Sequence, residues 1–530
     1  MQNIETRRAA MIARGDWQDR TLLDHLRHAV AATPLKPAII AIRNGHEQQL
    51  DYRTLDHLSD RLAANLRARG VQPGDTVSFQ LPNWWEFSVL HLACLKAGAV
   101  SNPLMVIFRE RELAFMLALA ETKILVVPTS FRGFDYPAMV ANVRDQLPAL
   151  RHVFAIGDAT THAEPFDALL ADAPPALSPP TPDAVIQLLY TSGTTGEPKG
   201  VLHSSNTMLS NLVPFAARLG LGADDVIHMP SPMAHQLGFM YGLVLPVMLG
   251  ATAVLQDQFT APEMARQITH YRASFTMGAT PFLNDLTEHV EATGLTTPSL
   301  RVFVSAGAPI PRALVTRARP ALGAAIISAW GMSENGAVTT TLPDDPEDKA
   351  TTTDGRALPG MQVRVIDAEG TPLPPGTEGR LQVRGCSNFL GYLKRPELDN
   401  TDPDGWFDTG DLARMDPEGY IRIAGRSKDI IIRGGENIPV VEVENLLFRH
   451  PAIAEIAIVG TPDPRLGERA CAFVKLRDGA SLSFADMTAY LADQRMARQY
   501  IPERLEIVTE MPRTPSGKIQ KFRLREIAKT

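Results

Sequence analysis

Between Gln187 and Ser204 the chain reads QLLYTSGTTGEPKGVLHS, and the small hydroxyl residues, glycines and single lysine of that stretch suit the binding of an anion. Thr191, Ser192, Gly193, Thr194 and Thr195 keep bulk away from the backbone, so that several N–H donors can converge on a phosphate. Lys199 adds a positive charge. A surface turn has a similar composition. This one follows the apolar run Ile186 to Tyr190, the pattern of a buried strand, and a strand emptying into a loop with a lysine favours phosphate. The loop is not of the G-x-x-x-x-G-K-[ST] kind, because Lys199 lies between Pro198 and Gly200 with no hydroxyl after it for a magnesium ion. An ordinary P-loop ATPase or GTPase is therefore disfavoured.

The elements that must position this loop alternate. Ala38 to Ile42 and Thr76 to Leu81 read as strands, with a helix from Thr54 to Arg69 between them. Leu55, Leu58, Leu62, Ala63 and Leu66 fall on one helical face, and Gly70 stands where a C-terminal cap belongs. A helix from Glu86 to Ala97 and a strand from Ile124 to Val127 continue the pattern, with Trp84 and Trp85 expected in packing. The proline-rich stretch Pro174 to Pro182 reads as a surface connection. A second series follows, with strands at Val226 to Met229, Ala253 to Leu255, Phe275 to Met277, Val302 to Ser305 and Ala325 to Ser328. From Gly360 short strands and tight turns, Val363 to Ile366 and Gly379 to Val383, predict a small β-rich unit. After a charged stretch at Arg426 to Asp429 the chain restarts with a helix from Val440 to Phe448, strands near Ile456 to Val459 and Cys471 to Val474, and a helix from Phe484 to Arg495. The expected fold is α/β. It has a large N-terminal region of two layered α/β subdomains plus a small β-barrel-like subdomain, residues 1–427, and a small mobile α+β C-terminal domain, residues 428–530.

Composition narrows the function. A length of 530 residues, 45% apolar and 21% charged, suits a globular chain with a large core. A net charge of -7 gives no global attraction to polyanions, so nucleic acid is not an expected partner. Cys94, Cys386 and Cys471 are too scattered for a disulfide framework or a zinc site, which fits the cytoplasm. No apolar run is long enough to span a bilayer, so no integral membrane association is expected.

Five further stretches stand beside the phosphate loop: Ser305-Ala-Gly-Ala-Pro309, Ala329-Trp-Gly-Met-Ser-Glu334, Trp406-Phe-Asp-Thr-Gly-Asp-Leu412, AGRSKDIIIRGGEN from Ala424 to Asn437, and Arg513-Thr-Pro-Ser-Gly-Lys518. In this order and spacing, from about Leu22 to Arg525, the chain resembles the acyl-adenylate-forming superfamily, most of all bacterial medium-chain fatty acid and cyclohexanecarboxylate CoA ligases. A carboxylate is a poor acyl donor, and converting it to a mixed anhydride with AMP supplies a good leaving group. The resemblance implies an ATP-dependent acid:CoA ligase that forms acyl-AMP and pyrophosphate, then acyl-CoA and AMP. It uses ATP, Mg²⁺ and coenzyme A, as a monomer or homodimer.

It also implies roles. Thr191, Ser192, Gly193, Thr194, Thr195 and Lys199 would hold the β- and γ-phosphates, Ser333 the α-phosphate, and Glu334 the magnesium. Relatives mostly carry threonine where Ser333 stands; the hydroxyl is kept. Gly307, Ala308 and Pro309 would line one face of the adenine and Trp330 the other, flanked by Gly331 and Met332. Asp411 would accept from the ribose hydroxyls, with Arg426 and Ile423 beside it. Lys518 would bridge the carboxylate and the α-phosphate, while Lys428 matches the hinge on which the C-terminal domain turns between half-reactions. Arg433 to Asn437, with Gly435, would then line the pantetheine tunnel. The acid pocket would comprise Leu237, Gly238, Phe239, Met240, Met277, Gly278 and Phe282, with His235 orienting the carboxylate. No acidic side chain precedes Glu334 in these stretches, which argues against an amino acid substrate and for a medium-chain or alicyclic acid. The alternatives are an aryl acid ligase, an adenylation enzyme loading a carrier protein, a luciferase-like oxygenase and a nucleotide sensor.

Overall fold

Helix boundaries follow local chemistry. Asp51 caps the helix Tyr52–Ala68 by accepting from the Thr54 N–H, and Leu55, Leu62, Ala63 and Leu66 of its inner face are buried. Its C-cap is Arg69, and Gly70 follows with a φ of 84°, the left-handed turn expected there. The helix Trp85–Ala97 is buried along its whole length after Trp85. It touches strands of two different sheets, which explains why no polar face is needed. Trp84 serves packing, with the Arg43 guanidinium 3.7 Å from its ring centre.

The computed structural model describes residues 4–43, 45–172, 178–191, 198–307, 310–426, 431–433, 436–463, 465–494, 496–514 and 517–529. Over these residues the N-terminal region contains a nine-stranded and a seven-stranded sheet, with helices between them. The two α/β series are interleaved rather than consecutive. The early strand Pro37–Arg43 joins the second series, pairing Ile39 with Ala253, and Val185–Thr191 joins the first, pairing Gln187 with Ser101. Strand patterns in a sequence carry no record of such crossovers, which tertiary pairing decides.

The predicted strands Val226–Met229 and Val302–Ser305 form as expected, while Ala325–Met332 runs four residues beyond its predicted end at Ser328. The small β-rich unit is a four-stranded antiparallel sheet of Met361–Ile366, Gly379–Gly385, Phe407–Met415 and Ile421–Arg426. The C-terminal region packs the helices Val440–Leu447 and Phe484–Asp493 beside a sheet built on the long hairpin Ile453–Asp463 and Gly467–Leu476. Of the connection Pro174 to Pro182, residues 178–182 are described and stand partly exposed. Among the described residues no helix is long and apolar enough to cross a membrane.

Candidate active site

The phosphate-loop strand Val185–Thr191 returns through Lys199–Ser204 as an antiparallel hairpin, with Thr191 opposite Lys199. Ser192, Gly193, Thr194 and Thr195 lie outside the described residues. A Cβ at Gly200 would meet Leu188 Cδ1 at 2.7 Å and Leu393 Cβ at 3.2 Å, so the hairpin needs glycine there. The segment 390–393 runs along the returning strand, with Leu393 N–H donating to Gly200 C=O at 2.8 Å. It brings the Tyr392 ring under the Lys199 Nζ at 4.7 Å.

Tyr392 also donates its hydroxyl to Glu334 Oε1 at 2.7 Å, and both residues are buried. Burial first, and then the charge of Glu334, pushes the Tyr392 phenol above its ordinary value, so it remains a donor at neutral pH. The turn carrying Glu334 connects Ala325–Met332 to Gly336–Thr340. His203 Nε2 donates to Ser333 C=O at 2.7 Å, and Phe389 N–H to Glu334 C=O at 2.7 Å. Asn335 C=O accepts from Ser387 Oγ at 2.8 Å and from Asn211 Nδ2 at 3.2 Å. Three successive carbonyls are thus fixed by four residues from three separate segments. Burial pulls the His203 imidazole down to about 4, so the ring is neutral. With its Nε2 proton on a carbonyl, Nδ1 is the acceptor facing Thr207 Oγ1 at 3.0 Å. A Cβ on Gly331 would lie 1.8 Å from Gly336 O, which shows how tightly this hairpin closes beside Met332.

On the nucleoside side Trp330 donates its indole N–H to Asp411 Oδ2 at 2.9 Å, and Arg426 Nε stands 3.2 Å from Asp411 Oδ1. Each carboxylate oxygen keeps acceptor capacity for a further hydroxyl. Ile423 is anchored by its N–H donating to the buried Asp354 Oδ2 at 2.8 Å. Gly307 is described, with a φ of 80°, whereas Ala308 and Pro309 lie outside the described residues.

His235 caps the short helix Gln236–Phe239, its Nδ1 accepting from Leu237 N–H at 3.3 Å. Burial, and then the positive charge of Lys518, pulls its imidazole down to about 4, leaving a neutral ring whose Nε2–H can donate. The helix packs on the strand Phe275–Gly278. Leu237 and Met277 are nearly closed over in the main core, while Phe282 packs in a neighbouring core cluster against Phe259 at a ring separation of 4.3 Å. A Cβ on Gly278 would lie 2.8 Å from the Phe282 ring, and one on Gly238 would lie 2.2 Å from Pro232 O. Met240 approaches the Glu334 turn, its Cε 3.0 Å from where a Cβ on Gly336 would stand. Phe239 is fully buried and packs edge-on against Phe87 and His91.

Gly517 of the C-terminal loop lies against Ala279 and Pro281, with approaches of 3.3 and 3.6 Å to its Cβ position. Thr514 Oγ1 accepts from Lys518 N–H at 3.0 Å, and Arg513 donates to Gly517 C=O at 2.6 Å, shaping the loop that carries Lys518. The structure therefore brings the lysine loop to the turn after Phe275–Gly278. Lys428 and Gly435 lie outside the described residues. His203, Tyr392, Asn211 and Asp354 were not singled out from the sequence. Each is one polar residue with no motif of its own, and only the position of His203 just after the apolar pair Val201-Leu202 offered a signal.

Comparison with known proteins identifies the family. Residues 26–393 match the model of the AMP-binding enzyme family, and residues 442–518 match the AMP-binding enzyme C-terminal domain. The chain is 39% identical to a medium-chain fatty-acid–CoA ligase of Escherichia coli (strain K12), covering 98% of this chain and 93% of that protein. It is 34% identical to a salicylyl-CoA synthase / salicylate adenylyltransferase of Streptomyces sp, over 97% and 95% of the two chains. The ATP-bound structure of MatB from Rhodopseudomonas palustris superposes with a TM-score of 0.86 at 29% identity, over 96% of this chain and 99% of that one. The chain belongs to the AMP-binding enzyme family and is an AMP-forming acyl-CoA synthetase.

Proposed function

We propose that this ligase activates a medium-chain fatty or alicyclic acid in the cytoplasm, through acyl-AMP, and passes the acyl group to CoA. The observation that carries the reading is the seating of the Lys518 loop on the Ala279–Pro281 turn, where the charge of Lys518 acts on His235. A cation there offsets repulsion between a bound carboxylate and the α-phosphate. Neutral His235 orients the carboxylate through its Nε2–H and has no proton to remove, since the acid is already ionised at pH 7. Leu237, Met277 and Phe282 offer an apolar wall without a carboxylate, which suits an alkyl or alicyclic group.

Asp411 receives the ribose hydroxyls and Trp330 covers the adenine, with Gly307, Ala308 and Pro309 opposite. Lys199 and the loop Thr191 to Thr195 hold the departing pyrophosphate, and Ser333 meets the α-phosphate. No cluster of three or more His, Cys, Asp or Glu is present among the described residues. A single buried carboxylate, Glu334, fits a magnesium ion that draws its remaining ligands from phosphate oxygens and water. When bound, that ion neutralises charge building on the phosphates. Tyr392 keeps the Glu334 carboxylate aimed at it.

After adenylation the C-terminal domain, residues 428–530, turns about Lys428. This withdraws Lys518 and brings Arg433 to Asn437, with Gly435, to the pantetheine path. The protein acts as a monomer or homodimer. Resemblance to a salicylate enzyme over nearly the whole chain favours an aryl acid as the second reading. The test is product analysis with acid, MgATP and CoA. AMP, pyrophosphate and acyl-CoA formed in equal amounts support the reading, while ADP and phosphate, or acyl-AMP that CoA does not consume, would overturn it.

A further inference from the structure

The family match begins at residue 26, and what precedes it is fastened to the phosphate side of the site. The helix Ile4–Ala13 presents Arg7, whose guanidinium donates to the carbonyls of Phe389 at 2.9 Å, Cys386 at 3.3 Å and Asn388. Trp17 adds its indole N–H to the Cys386 carbonyl at 2.9 Å, and its ring lies 5.3 Å from the Arg7 guanidinium. A Cβ on Gly360 would stand 2.6 Å from Cys386 Sγ and 3.1 Å from Asp16 Oδ1, so the packing here leaves no slack.

These carbonyls lead directly into the site. Phe389 N–H holds the Glu334 carbonyl, Ser387 holds the Asn335 carbonyl, and Tyr392, three residues after Phe389, holds the Glu334 carboxylate and underlies Lys199. The residues between them pair with the returning strand of the phosphate hairpin through Leu390 and Leu202. The other end of that hairpin is also taken. Arg8 Nε lies 2.7 Å from Asp183 Oδ2, just ahead of the strand Val185–Thr191. Asp183 Oδ1 in turn accepts from Asn206 Nδ2 at 2.8 Å, in the helix that follows Lys199–Ser204. Arg7 and Trp17 therefore hold the segment that supports the Glu334 turn and Lys199, and Arg8 holds the residue just ahead of the phosphate hairpin.

We propose that the N-terminal segment is a brace for the magnesium and triphosphate site, in which Arg7 and Trp17 are positioning residues that act through the 386–392 segment on Glu334 and Lys199. The inference rests on the reading of Glu334 as the magnesium carboxylate. A guanidinium that fills three carbonyls at once fixes their separation, as a point charge cannot. The consequence belongs to one half-reaction. Pyrophosphate release requires the triphosphate and the metal, whereas thioester formation from supplied acyl-AMP requires neither.

The test compares Arg7→Met, Arg7→Lys, Trp17→Phe and Glu334→Gln with the wild-type full chain. The Michaelis constants for MgATP and acid, the magnesium half-saturation and the thioester half-reaction are measured for each. Arg7→Met is expected to raise the MgATP constant and the magnesium half-saturation about ten-fold, with the acid constant and the thioester rate within about two-fold of wild type. Arg7→Lys is expected to recover part of the loss, and Trp17→Phe to raise the same two quantities about three-fold. A folded Arg7→Met with wild-type MgATP and magnesium dependence overturns the brace. So does a uniform loss across both half-reactions, which is what general destabilisation gives. Should Arg7→Met fail to fold, Trp17→Phe decides, and unchanged MgATP dependence in that variant overturns the proposal. Wild-type magnesium dependence in Glu334→Gln overturns the metal reading and the brace with it. Lost magnesium dependence in Glu334→Gln beside an unaffected Arg7→Met overturns the brace alone.

Discussion

The turn that carries Glu334 has three successive carbonyls held by His203, Phe389, Asn211 and Ser387, and its carboxylate is held by Tyr392. The acid-facing segment, by contrast, is shaped by close packing about Gly238 and Gly242, where an added Cβ would meet Pro232 O at 2.2 Å and Met229 Cγ at 2.4 Å. Directional polar contacts fix where charge is stabilised, and they fail as a unit. Apolar packing sets a shape that one methyl group can change. The ATP side is therefore expected to be intolerant and the acid side adjustable.

The sharpest break of the comparison is Lys518→Ala, which removes the group proposed to serve both sides. Pyrophosphate release is expected to fall about a thousand-fold while thioester formation from supplied acyl-AMP survives. Equal loss of both half-reactions in stopped assays would contradict the bridging role. Tyr392→Phe tests the ATP side alone. It deletes one hydrogen bond to a buried carboxylate, and the magnesium half-saturation should rise about ten-fold with little change in the acid constant.

Gly278→Ala tests the acid side, because its methyl would press on the Phe282 ring from 2.8 Å. Relative kcat/KM should shift about five-fold toward shorter acids, with the MgATP constant unchanged. An equal effect on MgATP would mean that the two sides are not separable.

The smallest effect at neutral pH becomes visible on acidification. Buried His91 is pulled down to about 3, and buried His203 and His228 to about 4, each mainly by desolvation. The unfolded chain takes up protons near 6.5 and the folded chain does not. Stability therefore declines as pH falls from 6.5 toward 4, by about 1.4 kcal/mol per pH unit for each histidine. Glu86, pushed up to about 7 by burial, opposes this, because its neutral form favours the fold as pH falls from 7 toward 4.5. His235, also near 4, adds to the loss, while Asp257, Asp285 and Asp354, raised by burial, join Glu86 in opposing it; the four histidines leave a net loss on first acidification, which melting temperatures measured downward from pH 7 should show. His228→Asn should flatten that decline.

The site's chemistry was legible where several motif residues share one stretch. Trp330 and Asp411, singled out from two different motifs, are joined by a direct hydrogen bond. The supports were not legible. His203, Asn211 and Tyr392 act across separations of 130, 124 and 58 residues to their partners, and no local pattern announces such contacts. The packing of Phe239 on Phe87 and His91 was equally illegible, since both partners lie far off in sequence. Strand positions were legible from apolar runs and sheet membership was not, as the early strand Pro37–Arg43 beside Thr252–Gln256 illustrates.

The most direct test is pyrophosphate release at saturating MgATP and CoA, measured over linear alkanoic acids, cyclohexanecarboxylate, benzoate and salicylate. The proposed acid pocket of Leu237, Met277 and Phe282 predicts the highest kcat/KM for a linear or alicyclic acid. A strong preference for benzoate or salicylate would contradict it.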